Sequence, residues 1–391
     1  MCPATTVPDH ATAERRSETP AGVSVGMEYD RPQFARLSRY ADEADRDVVD
    51  TVSGSPDWEP PAALREGLHT YADGDPEQFQ YPPSEGLDTL RAEIATRRNV
   101  PRERVLVTNG TGEANHLALA AALAANDGRA VLFTDPTYPY YPAKTELLGG
   151  EPRFVPTARD GGLDLDGFRA AAGPETAAIL LNTPNNPTGA VYPIETVRAV
   201  ARLADEVGAT LIVDEVYQQF DFTGTFESAL TLDHEVAVTT AFSKSMAITG
   251  FRVGYAVLPE SLRSHARTRH MLVNVTGSRP AQAAVFAALR ETGPGYYAHN
   301  RELLRDRVAT FTDALDDAGA EYTTPDGGFY VLARFDGLPG TTANAERMID
   351  EAGVAAMPGA TFGDRYAEWF RFALVTPRVE TAADRIADWM G

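Results

Sequence analysis

Between about residue 100 and residue 260 the chain repeats one pattern: a short apolar run that stops at turn residues, then a helix-like or loop stretch. RVLVTNG, AVLFTDP, AAILLNTP and ATLIVDEVY are the runs, and EANHLALAAALAA is a strong helix by composition. Runs of this kind are apolar on both faces and need cover on both, so alternation with helices predicts a mostly parallel sheet between helical layers. Beyond it, residues 295–318 read as one long amphipathic helix, GGFYVLARF as a strand, ERMIDEAG as a helix and WFRFALV as a last strand. The expected organisation is an α/β protein with a large domain over 60–292. A smaller α+β domain over 293–391 is joined by the segment 26–59, after a polar tail over 1–25.

In an open α/β sheet the carboxyl ends of the strands face the ligand crevice, so the residues just past each run carry the functional signal. Asp214 directly follows ATLIV, with Tyr217 one helical turn on. Asn185-Asn186-Pro187-Thr188-Gly189 follows AAILL. TNGTGEAN places Gly110, Thr111 and Gly112 between a strand and a helix; a dinucleotide fingerprint would need glycine where Asn115 stands. What remains is a glycine-rich turn feeding a helix N-terminus, which suits a phosphate group. Lysine is nearly absent, occurring only at 144 and 244. A lysine amine can form a Schiff base with a carbonyl cofactor, which an always-protonated arginine cannot. Lys244 lies in AFSKSMAITGFRVGYAV, with Arg252 eight residues later between Gly250 and Gly254. Lys144 has no such setting and reads as a surface lysine. Taken alone, each of these stretches passes for an ordinary turn.

Taken together, N-x-x-N-N-P-T-G, then D-E-x-Y, then S-K-x-x-x-x-x-G-x-R-x-G resembles the class I/II aminotransferases, pyridoxal-5′-phosphate enzymes of fold type I. Asn186 to Asp214 spans 28 residues and Asp214 to Lys244 spans 30, both typical of the family. S-G-S-P-D, F-Q-Y-P-P-S-E-G, D-P-T-Y-P-Y-Y, G-G-F-Y-V and M-P-G-A-T-F-G look like further family segments, so the likeness runs over nearly the whole chain after residue 45. The resemblance implies that Lys244 holds pyridoxal 5′-phosphate as an internal aldimine and then shuttles the substrate proton. It implies that Asp214 pairs with the pyridine nitrogen and that Asn186 and Tyr217 contact the phenolic oxygen. Tyr138 would stack on the ring. Gly110, Thr111, Gly112 and Arg252 would bind the phosphate, with Tyr81 reaching the phosphate of the neighbouring subunit of a homodimer. Ser243 would stand in for the Ser or Thr that relatives carry where this chain has Ala241. Arg371 would clamp the substrate α-carboxylate, near a backbone group of Gly54. The implied reaction moves an amino group from an L-amino acid to a 2-oxo acid, 2-oxoglutarate being the expected acceptor. A C–S lyase or cyclase on the same scaffold shares these motifs, and so does a non-catalytic sensor.

Charge and composition narrow the partners. With 35 basic and 56 acidic residues the net charge is −21, a surface that repels nucleic acid. Heavy acidity with almost no lysine matches a protein kept soluble in high salt. The single cysteine, Cys2, allows no internal disulfide. No metal is expected, because none of the seven histidines falls in a ligand-like cluster. The first 25 or so residues carry no apolar core of a secretory signal, and no apolar run reaches membrane-spanning length, so a cytoplasmic location is expected.

Overall fold

The computed structural model describes residues 33–158 and 161–391; the polar tail and Cys2 lie outside them. Seven strands form the main sheet in the order 105–108, 254–257, 236–241, 210–214, 176–182, 130–135 and 151–156. Neighbours pair in parallel except around Gly254–Val257, which runs antiparallel to both of its neighbours. The four runs singled out above are four of these strands. Alternation along them splits the core in two: Ile179, Leu181, Leu211 and Val213 join one apolar cluster, while Ala178, Leu180 and Ile212 join the other. Successive side chains of a strand point to opposite faces, and helices cover both. Thr111–Ala125, the alanine- and leucine-rich helix, packs on one face against Glu260–Asn274.

A second, antiparallel sheet has the order 357–358, 370–373, 330–334, 321–322. The 24-residue helix Pro294–Asp317 and the helix Val379–Met390 pack together beside it. Leu37, Val49 and Val52, from near the start of the described chain, enter the same apolar cluster as Val331, Phe370 and Ile386. Val49–Asp50 pairs in parallel with Val354–Ala355, which fixes the segment after it. A smaller cluster of Tyr217, Phe220, Phe329, Tyr330 and Ala373 joins residues just past the main sheet to the second sheet.

Candidate active site

Five strands of the main sheet end at one cavity of about 410 Å³, a size suited to a small ligand. Past Thr108 come Thr111 and Gly112; past Asp135 comes Tyr138; past Asn182 comes Asn186. Asp214 closes its own strand, with Tyr217 just beyond, and Lys244 follows Ala241 in the one-turn helix Phe242–Ser245. Gly54 reaches the cavity from the N-terminal segment and Arg371 from the middle of the second sheet. Ser243 and Arg252 also line it.

Asp214 is 2% exposed. Burial pushes its pKa up to about 6, against the pull of its hydrogen bonds. Its Oδ2 accepts from Asn115 Nδ2 at 2.7 Å and from the Tyr141 hydroxyl at 2.8 Å, and its Oδ1 from the Val216 amide at 3.0 Å. Lys244 Nζ donates to the Gly54 carbonyl at 2.7 Å. Burial first, then the nearby Arg371 and Arg252 charges, bring the lysine down to about 8. A near-neutral pKa of this kind leaves a usable fraction of free amine at working pH. Tyr217 and Tyr330 share a hydroxyl–hydroxyl hydrogen bond of 3.1 Å, and burial holds the Tyr217 phenol well above its usual range.

Around the start of the Thr111–Ala125 helix the chain is built for an anion. Gly110 has φ +75°, and a methyl group there would lie 2.5 Å from Arg252 Nη2, so glycine is what lets the guanidinium approach. Arg252 donates to the carbonyls of Asn109 and Thr249. The Thr111 hydroxyl is buried with no partner among the described residues, and a Cβ on Gly112 would meet open space. A helix N-terminus, a spare hydroxyl and an arginine together fit a phosphate group, and the buried amine of Lys244 fits a carbonyl beside it.

Arg371 is 1% exposed, and among the described residues no carboxylate pairs with it. Its Nη2 donates to Val52 O at 2.6 Å and its Nη1 to Asn186 Oδ1 at 3.3 Å, while Nε has no partner among the described residues. Three rings face the guanidinium carbon: Tyr330 at 4.4 Å, Phe362 at 5.0 Å and Phe34 at 5.3 Å. A buried guanidinium with donors to spare is a receptor for a carboxylate.

Tyr81, expected to reach the phosphate of the neighbouring subunit, stands 82% exposed and away from the cavity of its own chain. One sequence expectation meets a different arrangement. Lys144 is no surface lysine. It lines the cavity from the helix Tyr140–Leu147, over the Tyr140 ring, and burial lowers its pKa. Its helical position on a turn-rich segment concealed it, although the scarcity of lysine was a usable signal. Sequence reasoning also passed over Asn115, Tyr141, Tyr330 and Phe34. Asn115 left a trace, as an amide within an otherwise apolar helical face.

Residues 47–386 match the sequence profile of the family described as aminotransferase class I and II. The aspartate/prephenate aminotransferase of Thermus thermophilus is 31% identical over 359 residues, which is 88% of this chain and 91% of that protein. A probable aspartate/prephenate aminotransferase of Thermus aquaticus is 34% identical over 330 residues, 81% of this chain and 84% of that one. Among solved structures, a single mutant of Thermus thermophilus aspartate aminotransferase superposes with a TM-score of 0.86 at 28% identity. It covers 94% of this chain and 99% of that one.

Proposed function

Because the chain belongs to the class I and II aminotransferases, we propose that this cavity transfers an amino group from an L-amino acid to 2-oxoglutarate, with pyridoxal 5′-phosphate held by Lys244. The observation that carries the reading is the convergence, in one cavity, of a lysine amine brought down to about 8, a buried carboxylate and an arginine that no carboxylate among the described residues pairs with. When bound, the cofactor supplies a carbonyl that condenses with amines and a ring that stores the electron pair released at the substrate α-carbon. Lys244 gives and takes the proton at that carbon. Asp214 keeps a proton on the ring nitrogen, while Asn186 and Tyr217 hold the phenolic oxygen and Tyr330 steadies the Tyr217 hydroxyl. Tyr138 covers the ring. Gly110, Thr111, Gly112, Ser243 and Arg252 hold the phosphate. Arg371 binds the α-carboxylate, with Gly54 close to it. The test is reduction of the holoenzyme with borohydride followed by peptide mapping: the pyridoxyl label is expected on Lys244, and a label on Lys144 would overturn the assignment.

The working unit in this reading is a cytoplasmic homodimer. Phe79, Tyr81 and the run Met271, Leu272, Val273 and Val275 are large apolar side chains left exposed on one subunit. Tyr81 would then serve the phosphate of the neighbouring subunit. The domain limits we propose are 60–292 for the large domain and 293–391 with 26–59 for the small one. A net charge of −21 on 391 residues supports adaptation to high salt, since dilution removes the screening between carboxylates. Melting temperature should rise steadily from dilute buffer to molar potassium chloride; a flat profile rejects this adaptation.

A further inference from the structure

The Asp214 carboxylate is held by three donors, and one of those donors is itself held by a further hydrogen bond. Asn115 Nδ2 and the Tyr141 hydroxyl both donate to Oδ2, which uses the two lone pairs of that oxygen. Oδ1 accepts only the Val216 amide among these groups and keeps a lone pair. An asparagine side chain can present either its amino group or its carbonyl to a neighbour. An ionised carboxylate only accepts, so Asp214 draws the amino group toward itself and leaves Asn115 Oδ1 to accept from the Thr239 hydroxyl at 2.6 Å, which satisfies that buried oxygen. All four side chains are buried, and they come from separate elements. Thr239 sits opposite Asp214 in the strand pairing, Asn115 lies in the helix Thr111–Ala125 and Tyr141 in Tyr140–Leu147. Reversing the amide would bring its carbonyl against the carboxylate, an arrangement tolerable only if Asp214 carried a proton. The direction of the hydrogen bonds therefore matches an ionised Asp214, in a place where burial opposes ionisation.

We propose that Asn115 is a positioning residue for the reaction: held in place by Thr239, it keeps Asp214 ionised and occupies Oδ2, so that Oδ1 is the oxygen left to hold the proton of the cofactor's ring nitrogen. This rests on the reading of Asp214 as the partner of that nitrogen. Asn115 acts through Asp214. Thr239 acts through Asn115, because without its hydroxyl the buried Asn115 Oδ1 has lost its donor and the amide its fixed place beside the carboxylate.

The test uses holoenzyme of Thr239→Val, Thr239→Ser and Asn115→Leu, with Asp214→Asn as reference. The readouts are the pH titration of the visible absorbance and the dissociation constant of pyridoxal 5′-phosphate. A protonated ring nitrogen drives the proton off the conjugated lysine linkage at lower pH, so a looser hold on that nitrogen moves the titration upward. Thr239→Val should shift it up by roughly 0.5–1 pH unit and weaken cofactor binding by about two- to tenfold. Asn115→Leu should shift it at least as far, and Thr239→Ser, which restores the hydroxyl, should stay at the wild-type value. The proposal is overturned if Thr239→Val titrates with the wild type, or if Thr239→Ser moves as far as Thr239→Val. Should Asn115→Leu not fold, the two Thr239 variants decide alone. If Asp214→Asn itself leaves the titration in place, the reading of Asp214 fails and this inference falls with it; if only the Thr239 and Asn115 variants are silent, the reading of Asp214 stands.

Discussion

Asp214 and Arg371 are buried charges in one cavity, and their surroundings are opposites. The carboxylate has three hydrogen-bond donors drawn from a helix, a second helix and its own loop. Among the described residues, the guanidinium has one close backbone carbonyl, one longer amide contact, three aromatic faces and an Nε with no partner. A buried charge is expensive unless its hydrogen-bonding capacity is met. The Asp214 end meets most of it within the protein and so is set before any ligand arrives. The Arg371 end leaves donors over, and aromatic faces stabilise the cation without consuming them. One end of the cavity is finished by the fold, and the other is completed by what binds.

The largest effect expected from breaking this contrast lies at the finished end. Asp214→Asn should retain the cofactor but lower kcat by roughly 10²–10⁴-fold, the range for a positioned proton-holding group. Turnover within a few-fold of wild type would make the donor network a folding device only. At the other end, Arg371→Lys keeps the charge and loses the planar fork. KM for amino acids should rise by about one to two orders of magnitude, from about 1.5–3 kcal/mol of charge-assisted bonding. The rise should be similar for every α-amino acid and small for simple amines. Lower stability with unchanged KM would mean that the arginine serves the fold. The smallest effect concerns Lys244, which feels both ends: Arg371 lowers its pKa and Asp214 raises it. The rate at which apoenzyme takes up pyridoxal 5′-phosphate follows the neutral amine, so it should climb with pH and level off above about 8. Arg371→Gln should move that profile upward by less than about one pH unit, as one of several contributions. A downward or absent shift would mean that the Arg371 charge does not hold the amine down.

The same contrast explains what could be read from the amino-acid string. Asp214 ends an apolar run, while Asn186 and Lys244 follow theirs within a few residues, and apolar runs are visible as such. Strands of four to seven residues with both faces buried leave a continuous signal, as AVLFTDP and AAILLNTP do. The edge strand Glu151–Pro156 has mostly half-buried or exposed residues and two prolines, so it carries no such run. The pairs Val49–Asp50 and Met357–Pro358 are too short to have a period. Arg371 was legible through its apolar neighbours in WFRFAL, but the three rings that face it come from residues 34, 330 and 362, which only tertiary structure brings together. Asn115, Tyr141 and Lys144 lie on helices past the strand ends, where the only signals are weak ones: an amide on an apolar face for Asn115 and the rarity of lysine for Lys144.

The stretch from Val52 to Gly54 supplies backbone carbonyls to both Arg371 and Lys244, across 319 and 190 residues of sequence respectively. Those contacts set an order of assembly on the ribosome. Synthesis runs from the N-terminus and domains fold as they emerge, so the main sheet, complete by Val257, can form while the second sheet is still being made. Its cavity then lacks one wall and one of its cations. The early segment finds its first partner in Val354–Ala355 and is completed only once the strand Phe370–Ala373 has also been made. A nascent chain of this protein could hold a folded sheet while still lacking a competent site, which waits for that later strand.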